Sequence, residues 1–235
     1  MQMNLRSPDT DSYRHERKFL VSEFSQYEIE AQIKLHPAMF SEIYQPRFVN
    51  NLYFDSPGRR HYFDNIDGIA DRVKVRIRWY GDLFGTVAKP VLELKLKHGL
   101  AGRKNSCPLV PFSIDRDFKV NTVLEVFKKS DISEYLRSDL ISLEFSLLNR
   151  YQRKYFQSAD RKYRITIDSE MTFYQIQAHS NTFLYKTVDL MNTVVELKYA
   201  LSEDQYVEEI SNHFPFRISR NSKYINGIER LYGFL

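Results

Sequence analysis

Apolar and polar side chains alternate with a period of two through several stretches of the chain. That period marks strands with one wet face and one dry face. The clearest case is "DRVKVRIRWYG" (Asp71–Gly81), where Arg72, Lys74, Arg76 and Arg78 share one face and Val73, Val75, Ile77 and Trp79 the other. "KPVLELKLKHG" sets Val91, Glu93, Lys95 and Lys97 against Leu92, Leu94 and Leu96. "TVVELKYA" sets Val194, Glu196 and Lys198 against Val195, Leu197 and Tyr199. "ISLEFSLLNRYQRKYF" and "RKYRITIDSE" form a hairpin around "QSADR", the second arm alternating Arg164, Thr166 and Asp168 with Ile165 and Ile167. "RHERKFLV" (Arg14–Val21) is a first strand, and "FVNNLYFDS" a strand that stops at the Pro57–Gly58 turn.

Between these strands the period changes to that of a helix. "SEFSQYEIEAQIKLH" has Ser22 as an N-cap candidate and Ser25 and Glu28 at capping-box spacing. "RRHYFDNI" accounts for one or two helical turns, and residues 115–140 for two helical pieces. "SEDQYVEEISNHF" is expected as a helix capped by Ser202. A final helix in "SRNSKYINGIERLYGF" puts Tyr224, Ile225, Ile228 and Leu231 on its apolar side. "GLAGRKNSCPLVPF" turns the chain with a short strand, its "NSCPLVPF" portion read as loop. About eight strands with a few helices, no repeat and no low-complexity tract predict an α+β fold with a large antiparallel sheet or barrel. Residues 1–12 are expected to be a flexible tail and residues 13–235 one domain.

Composition narrows the class. At 235 residues and 43% hydrophobic content the chain can bury a real core and is not a disordered protein. Sixteen Tyr and seventeen Phe against eight Gly and eight Pro favour β-structure over loops. The single cysteine, Cys107, excludes an intrachain disulfide and fits a reducing compartment, and no partner motif surrounds it. No apolar run approaches the ~20 residues of a membrane helix, and the N-terminus lacks an apolar signal core. A soluble, cytoplasmic protein is expected.

Charge changes the picture more. The polar strand faces and the segment before the last helix carry the cations Arg14, Lys18, Arg72, Lys74, Arg76, Arg78, Lys95, Lys97, Arg150, Arg164, Lys198, Arg220 and Lys223. Only Glu16, Glu93, Asp168 and Glu196 stand among them, whereas the whole chain is only +4. A solvated outer face mixes signs and uses Thr, Ser and Gln freely. Cations recurring strand after strand point instead to a barrel with its polar faces inward and its helices outside. Such an interior needs water and a polyanion, because uncompensated buried cations are costly. Arginine forks match phosphate oxygens, lysines act as point charges beside them, and inward acids can hold a divalent metal that bridges phosphates.

Eight segments, "RHERKFLV", "NNLYFDS", "VKVRIRWYG", "LELKLK", "NRYQRKYF", "YRITIDSE", "VVELKY" and "SKYINGI", resemble in order and spacing the VTC (vacuolar transporter chaperone) domain of the triphosphate tunnel metalloenzyme superfamily. The resemblance covers nearly the whole chain from Tyr13. It implies an eight-stranded antiparallel tunnel barrel. It further implies transfer of the γ-phosphoryl of ATP to a growing polyphosphate chain, with Mn2+ or Mg2+ in the tunnel. It assigns Arg76 and Arg78 as a phosphate-binding pair, Lys18 and Lys95 as tunnel lysines, and Arg150 and Arg164 as two later arginines. Lys198 and Lys223 are further phosphate ligands, and Arg220 stands where a second lysine is usual. Glu196 is the metal-binding glutamate. Lys74 and Arg14 join the phosphate-binding set by their strand position, and Glu16 and Glu93 the metal-binding set.

Hydrolytic relatives begin with an ExExK strand, where this chain has Arg14, Glu16 and Lys18. Replacing the first acid by a cation favours the polymerase over a metal-dependent triphosphatase of the same fold, the alternative reading. A second alternative is a non-enzymatic polyanion or RNA-binding module using Trp79, Tyr80, Tyr151 and Tyr155. Those aromatics are read as lying mostly on the strand face opposite the arginines, which disfavours base stacking, so no nucleic-acid partner is expected.

Overall fold

The computed structural model describes residues 14–98 and 101–233, so the expected tail at residues 1–12 lies outside the described residues. In chain order the elements are β1 (Arg14–Val21), α1 (Gln26–Lys34), β2 (Ser41–Asp55), α2 (Arg60–Ile66), β3 (Asp71–Tyr80) and β4 (Gly85–Val87). Then follow β5 (Val91–His98), β6 (Ala101–Pro108), β7 (Phe112–Ile114), α3 (Val120–Lys129), α4 (Glu134–Ile141), β8 (Glu144–Gln157) and β9 (Tyr163–Tyr174). The chain ends with β10 (Lys186–Asp189), β11 (Thr193–Ala200), α5 (Val207–Ser211) and α6 (Lys223–Tyr232). One antiparallel sheet runs β1-β11-β9-β8-β2-β3-β5-β6, with β10 added to β9, and β4 and β7 pair separately.

The expected barrel is not closed by backbone. Among the described residues no ladder joins β1 to β6, although the two come within 8 Å of each other between Cα atoms. Side chains bridge the gap instead: Lys95 Nζ of β5 donates to Glu16 Oε1 of β1 at 3.0 Å. The edge strand β1 is rich in charged residues, with Arg14, Glu16, Arg17 and Lys18, a common device against edge pairing. The sheet is therefore curled, with a convex and a concave face.

The alternation in sequence decides which side chains go where. Val75, Ile77, Trp79, Leu92 and Leu94 point outward and pack on Val123, Val126, Phe127 and Leu140 of α3 and α4. Phe19, Ile165, Ile167, Val195 and Leu197 point outward against Ile29 and Ile33 of α1 and Val207 of α5. The helix α6 departs from the expected outside placement. Its Tyr224, Ile225 and Ile228 pack on the concave side against Val49, Tyr53, Leu147, Tyr151, Met171, Phe173 and Val194. Each such fully buried apolar side chain stabilises by about 1.5–3 kcal/mol. Ser222 caps the helix by accepting from Ile225 N, and Gly233 ends it at φ 64°. Tyr224 Oη donates to Asp55 Oδ2 at 2.5 Å, while the same carboxylate accepts from the N–H groups of His61 and Tyr62, so one acid ties α6 to α2.

Several boundaries differ from the pattern. β2 begins at Ser41, seven residues before its apolar stretch, because its exposed first half pairs with β8. Cys107 lies in the strand β6, not in a loop, and packs against the outer core. α1 starts after Ser25, which forms the capping box with Glu28, so Ser22 is not the cap. Ser202 caps no α-helix: it sits in a 3-10 turn, Leu201–Glu203, and α5 starts only at Val207. The short β4, β7 and β10 carry too few residues to show a period.

Gly227 is the contact point of α6 with the sheet. A Cβ there would lie 2.5 Å from Leu147 Cδ2 and 2.6 Å from Phe173 Cδ1, both in fully buried side chains. Gly→Ala in a helix interior normally stabilises by about 1 kcal/mol. Here the sign reverses, and Gly227→Ala is expected to destabilise by about 1–3 kcal/mol through overpacking. Thermal melting of the two proteins checks this, and a higher melting temperature in the variant would show that the slot yields.

Candidate active site

The concave face ahead of α6 holds three groups of charges. On β3 and β5, Arg76 donates from Nε and Nη2 to Glu93 Oε2 at 2.8 and 2.6 Å and from Nη1 to the Tyr53 hydroxyl at 3.2 Å. Arg78 donates to Asn51 Oδ1 at 2.9 Å and to the Tyr151 hydroxyl at 3.3 Å, with Nη1 3.6 Å from Glu93. Lys104 of β6 reaches Glu93 Oε1 at 3.1 Å. Burial would push the Glu93 carboxyl up, but Arg76, Arg78 and Lys104 outweigh it and hold the group well below the usual carboxylate range.

The second group joins β8, β9, β11 and α6. Arg153 grips Asp168 with Nε at 2.5 Å and Nη2 at 2.6 Å. Lys223 Nζ lies 2.5 Å from Asp168 and 3.6 Å from Glu196. Lys198 Nζ lies 2.7 Å from Glu196, and Arg153 Nη2 3.5 Å. Burial opposes ionisation of Glu196, yet Lys198, Lys223 and Lys18 hold its carboxyl well below the ordinary value. Burial would likewise lower the Lys223 ammonium, but Asp168 and Glu196 keep it above its ordinary value.

The third group lies on β1. Lys18 Nζ stands 3.1 Å from Glu16 Oε1 and 3.9 Å from Glu196 Oε1, and donates to the Asn221 carbonyl at 3.2 Å. Burial raises the Glu16 carboxyl, but Lys18, Lys95 and Lys198 bring it down to about 2. Lys74 differs from its neighbours. Its Nζ donates to Ser222 Oγ at 2.8 Å and meets no carboxylate among the described residues. Burial, then Lys18, Lys95, Arg72 and Arg76, push its ammonium well below the ordinary lysine value.

The residues singled out in the sequence divide as follows. Arg76, Arg78, Lys18, Lys74, Lys95, Lys198, Lys223, Glu16, Glu93 and Glu196 come together on the concave face. Arg164 shares the inward parity of Thr166 and Asp168, pairs in register with Lys198, and forms no ion pair among the described residues. Arg220 is exposed ahead of α6. Of Arg14 only the backbone, paired with Ala200, is described.

Arg150 is a correction. The inward positions of β8 are Leu147, Asn149, Tyr151, Arg153 and Tyr155, so Arg150 points outward, where its guanidinium lies 3.7 Å from the Phe48 ring centroid. The inward arginine of that strand is Arg153, which the sequence reading missed, as it missed Lys104. "NRYQRKYF" has cations at 150, 153 and 154, so alternation alone does not choose a parity. The same correction moves Tyr151 and Tyr155 to the inward face, and Tyr80 shares the parity of Arg76 and Arg78; only Trp79 faces outward.

A divalent metal has a limited donor set here. No group of three His, Cys, Asp or Glu side chains gathers among the described residues. Glu16 and Glu196 approach a common point at Lys18, while Glu93 is committed to three cations. Two carboxylates fit an Mg2+ or Mn2+ that keeps water and phosphate oxygens as its other ligands. Two surface grooves of about 280 and 240 Å3 contain none of these cations.

A family model described as "VTC domain" matches residues 13–232. Among solved structures, the chain is similar to a candidate adenylyl cyclase from Hippeastrum described as having a dominant triphosphatase activity. Identity is 14%, 92% of this chain and 94% of that one are covered, and the TM-score is 0.53. A candidate adenylate cyclase from Vibrio parahaemolyticus matches at 12% identity over 92% and 98% of the two chains, TM-score 0.52. A Pyrococcus horikoshii protein matches at 14% identity over 93% and 99%, TM-score 0.51. At these identities the likeness concerns the fold. No curated protein matches the chain. Among the described residues no helix is long and apolar enough to cross a membrane.

Two outcomes follow from the electrostatics. Glu93→Gln leaves Arg76, Arg78 and Lys104 without their acid and is expected to cost about 3–5 kcal/mol at neutral pH. The native carboxyl is depressed, so its contribution is complete above about pH 4.3, the ordinary glutamate value, and is lost as pH falls toward the native value. Urea unfolding at pH 7 and pH 3 should show the gap between wild type and variant closing in acid. The Lys74 ammonium, which burial and its cationic neighbours depress, should gain proton affinity when an anion arrives. Titration of inorganic tripolyphosphate in buffers of different ionisation enthalpy should therefore show proton uptake at mildly alkaline pH, largely absent in Lys74→Gln. Equal uptake by the two proteins would show that Lys74 is already charged.

Proposed function

This chain belongs to the VTC domain family, and from that premise we propose that it is an ATP-dependent polyphosphate polymerase. It transfers the γ-phosphoryl group of ATP to the end of an inorganic polyphosphate chain held on the concave face. The observation that carries this reading is the excess of cations around Lys74, which has Lys18, Lys95, Arg72 and Arg76 as neighbours and, among the described residues, no acid of its own. A phosphate chain supplies the missing charge, and its oxygens match both the arginine forks and the lysine point charges.

Phosphoryl transfer asks the protein mainly for positioning and charge stabilisation. Glu93 and Tyr53 hold the Arg76 guanidinium, and Asn51 and Tyr151 hold that of Arg78, so both cations are fixed before a ligand arrives. Lys18, Lys74, Lys95, Lys198 and Arg164 line the path around them. Glu196 with Glu16 would hold a divalent ion carried by the phosphates, and that ion would offset charge on the transferred group. The acceptor is a terminal phosphate, already an anionic nucleophile, so no general base is needed. Among the described residues Glu16, Glu93, Asp168 and Glu196 are each engaged by cations, which leaves none of these four to orient water and favours transfer over hydrolysis. The second reading is a triphosphatase, favoured by the activity described for the similar Hippeastrum protein.

Purified protein with ATP and manganese should give a ladder of polyphosphate on a gel together with ADP. Stoichiometric orthophosphate with no polymer at any primer concentration would transfer the assignment to the triphosphatase. Arg78→Ala should lower kcat/KM for ATP at least ~100-fold, about 2.7 kcal/mol of transition-state stabilisation. Arg150→Ala, on the convex face, should stay within a few-fold of wild type. Glu196→Gln should remove metal-dependent turnover and, because it unpairs Lys198 and Lys223, also lower stability, so turnover is compared at a temperature where circular dichroism shows both proteins folded.

A further inference from the structure

Cations and tyrosine rings alternate in an unbroken series from the deepest part of the site to its rim. Lys223 Nζ lies 4.9 Å from the centroid of Tyr151, and Arg153 lies 5.3 Å from the same ring. Arg153 is also 5.9 Å from Tyr155, and Arg47 is 4.8 Å from Tyr155. Arg47 then lies 4.2 Å from Tyr80 and 5.5 Å from Tyr44. Arg47 and Tyr80 share the inward parity of their strands, so the series stays on the concave face as it leaves the phosphate-binding set. Around Tyr44 and Arg47 the pairing of β2 with β8 is irregular, and such bulges re-aim side chains beside functional sites.

The two ends of the series differ in what they can take. The inner rings are sealed: Tyr151 and Tyr155 are 1% and 7% exposed. At the rim Tyr80 is 47% and Tyr44 52% exposed, so each keeps ring surface open to a ligand although Arg47 lies over one side of Tyr80. Arg47 Nε donates to the Tyr155 hydroxyl at 3.2 Å, and its guanidinium meets no carboxylate among the described residues. An aromatic face carries negative quadrupole density and repels a phosphate, but it stacks well on a flat heterocycle. A planar guanidinium likewise stacks on such rings.

We infer that the rim formed by Tyr44, Arg47 and Tyr80 binds the base of a nucleoside triphosphate whose phosphates lie on the inner cations. The inference rests on the triphosphate-binding reading of those cations and adds a base subsite to it. Stacking depends on the π-face more than on hydrogen-bonding edges, so the rim accepts either purine and holds pyrimidines less tightly.

The test compares ATP with inorganic tripolyphosphate by calorimetry on wild type, Tyr44→Leu, Tyr80→Leu and Tyr80→Phe. Both tyrosines are half exposed, so these changes leave the core untouched. The ratio of ATP affinity to tripolyphosphate affinity is expected to be higher in wild type than in either leucine variant. Each leucine variant should lose about tenfold in ATP affinity, in the range of one stacked base, with tripolyphosphate affinity unchanged. Tyr80→Phe should restore ATP binding. Equal loss for both ligands would make the rim part of the phosphate path, and no loss for either would make it packing alone; each result overturns the base subsite. Tripolyphosphate binding itself reports on the inner cations, so failure of wild type to bind it removes the triphosphate reading and the subsite with it. A leucine variant that loses single-stranded RNA binding but keeps its ATP affinity would give the rim to a different ligand and also overturn the proposal.

Discussion

The sharing of a few buried carboxylates among many cations governs this structure. Asp168 and Glu196 sit where β9, β11, β8 and α6 converge, and Glu93 where β3, β5 and β6 do. Breaking one buried ion pair commonly costs 3–5 kcal/mol, a large part of a domain's net stability. Each of these acids serves two or more cations, so its loss would be felt in several elements at once. The compensation is incomplete: among the described residues Lys74 and Arg164 face inward with no acid. What holds the fold together and what prepares it for an anion are thus two parts of one charge distribution.

The apolar half of the concave face has a different task. α6 lies on it through Gly227 and is fixed by the Asp55–Tyr224 hydrogen bond. Its first turn then carries Lys223 to Asp168 and presents Ser222 to Lys74. The positive end of the helix dipole faces the same region, which adds to its preference for negative charge. Packing on one side of the helix therefore determines the position of charges on the other, and a loss of fit at Gly227 would be transmitted to the lysine four residues earlier.

Much of this was legible in the sequence where the alternation was clean. β3, β5 and β11 each place four or fewer polar residues against an uninterrupted apolar set, and their inward residues follow directly. β8 was not legible, because Arg150, Arg153 and Lys154 occur on both parities and a bulge between Arg150 and Gln152 disturbs the register. Its parity is settled only by Asp168, fifteen residues away on the neighbouring strand, which pairs with Arg153. The position of α6 was equally hidden. An amphipathic helix announces that it has a buried side, but not whether the surface it meets is convex or concave. Closure of the barrel was expected from the charge pattern and from the family resemblance alike, and the gap between β1 and β6 depends on edges that no local pattern describes.

The order of these charges along the chain has a consequence for synthesis. As the polypeptide leaves the ribosome, Arg76 and Arg78 are followed within a single hairpin by Glu93, and their repulsion can be relieved locally. Lys18 has Glu16 two residues away, but its second acid, Glu196, and the ladder partner of β1, β11, come only near the other end of the sequence. Contacts so distant are slow to form because a long loop must close first. The nascent protein therefore carries β1 without its ladder partner through most of its translation, and the site is completed last, when β11 and α6 arrive together.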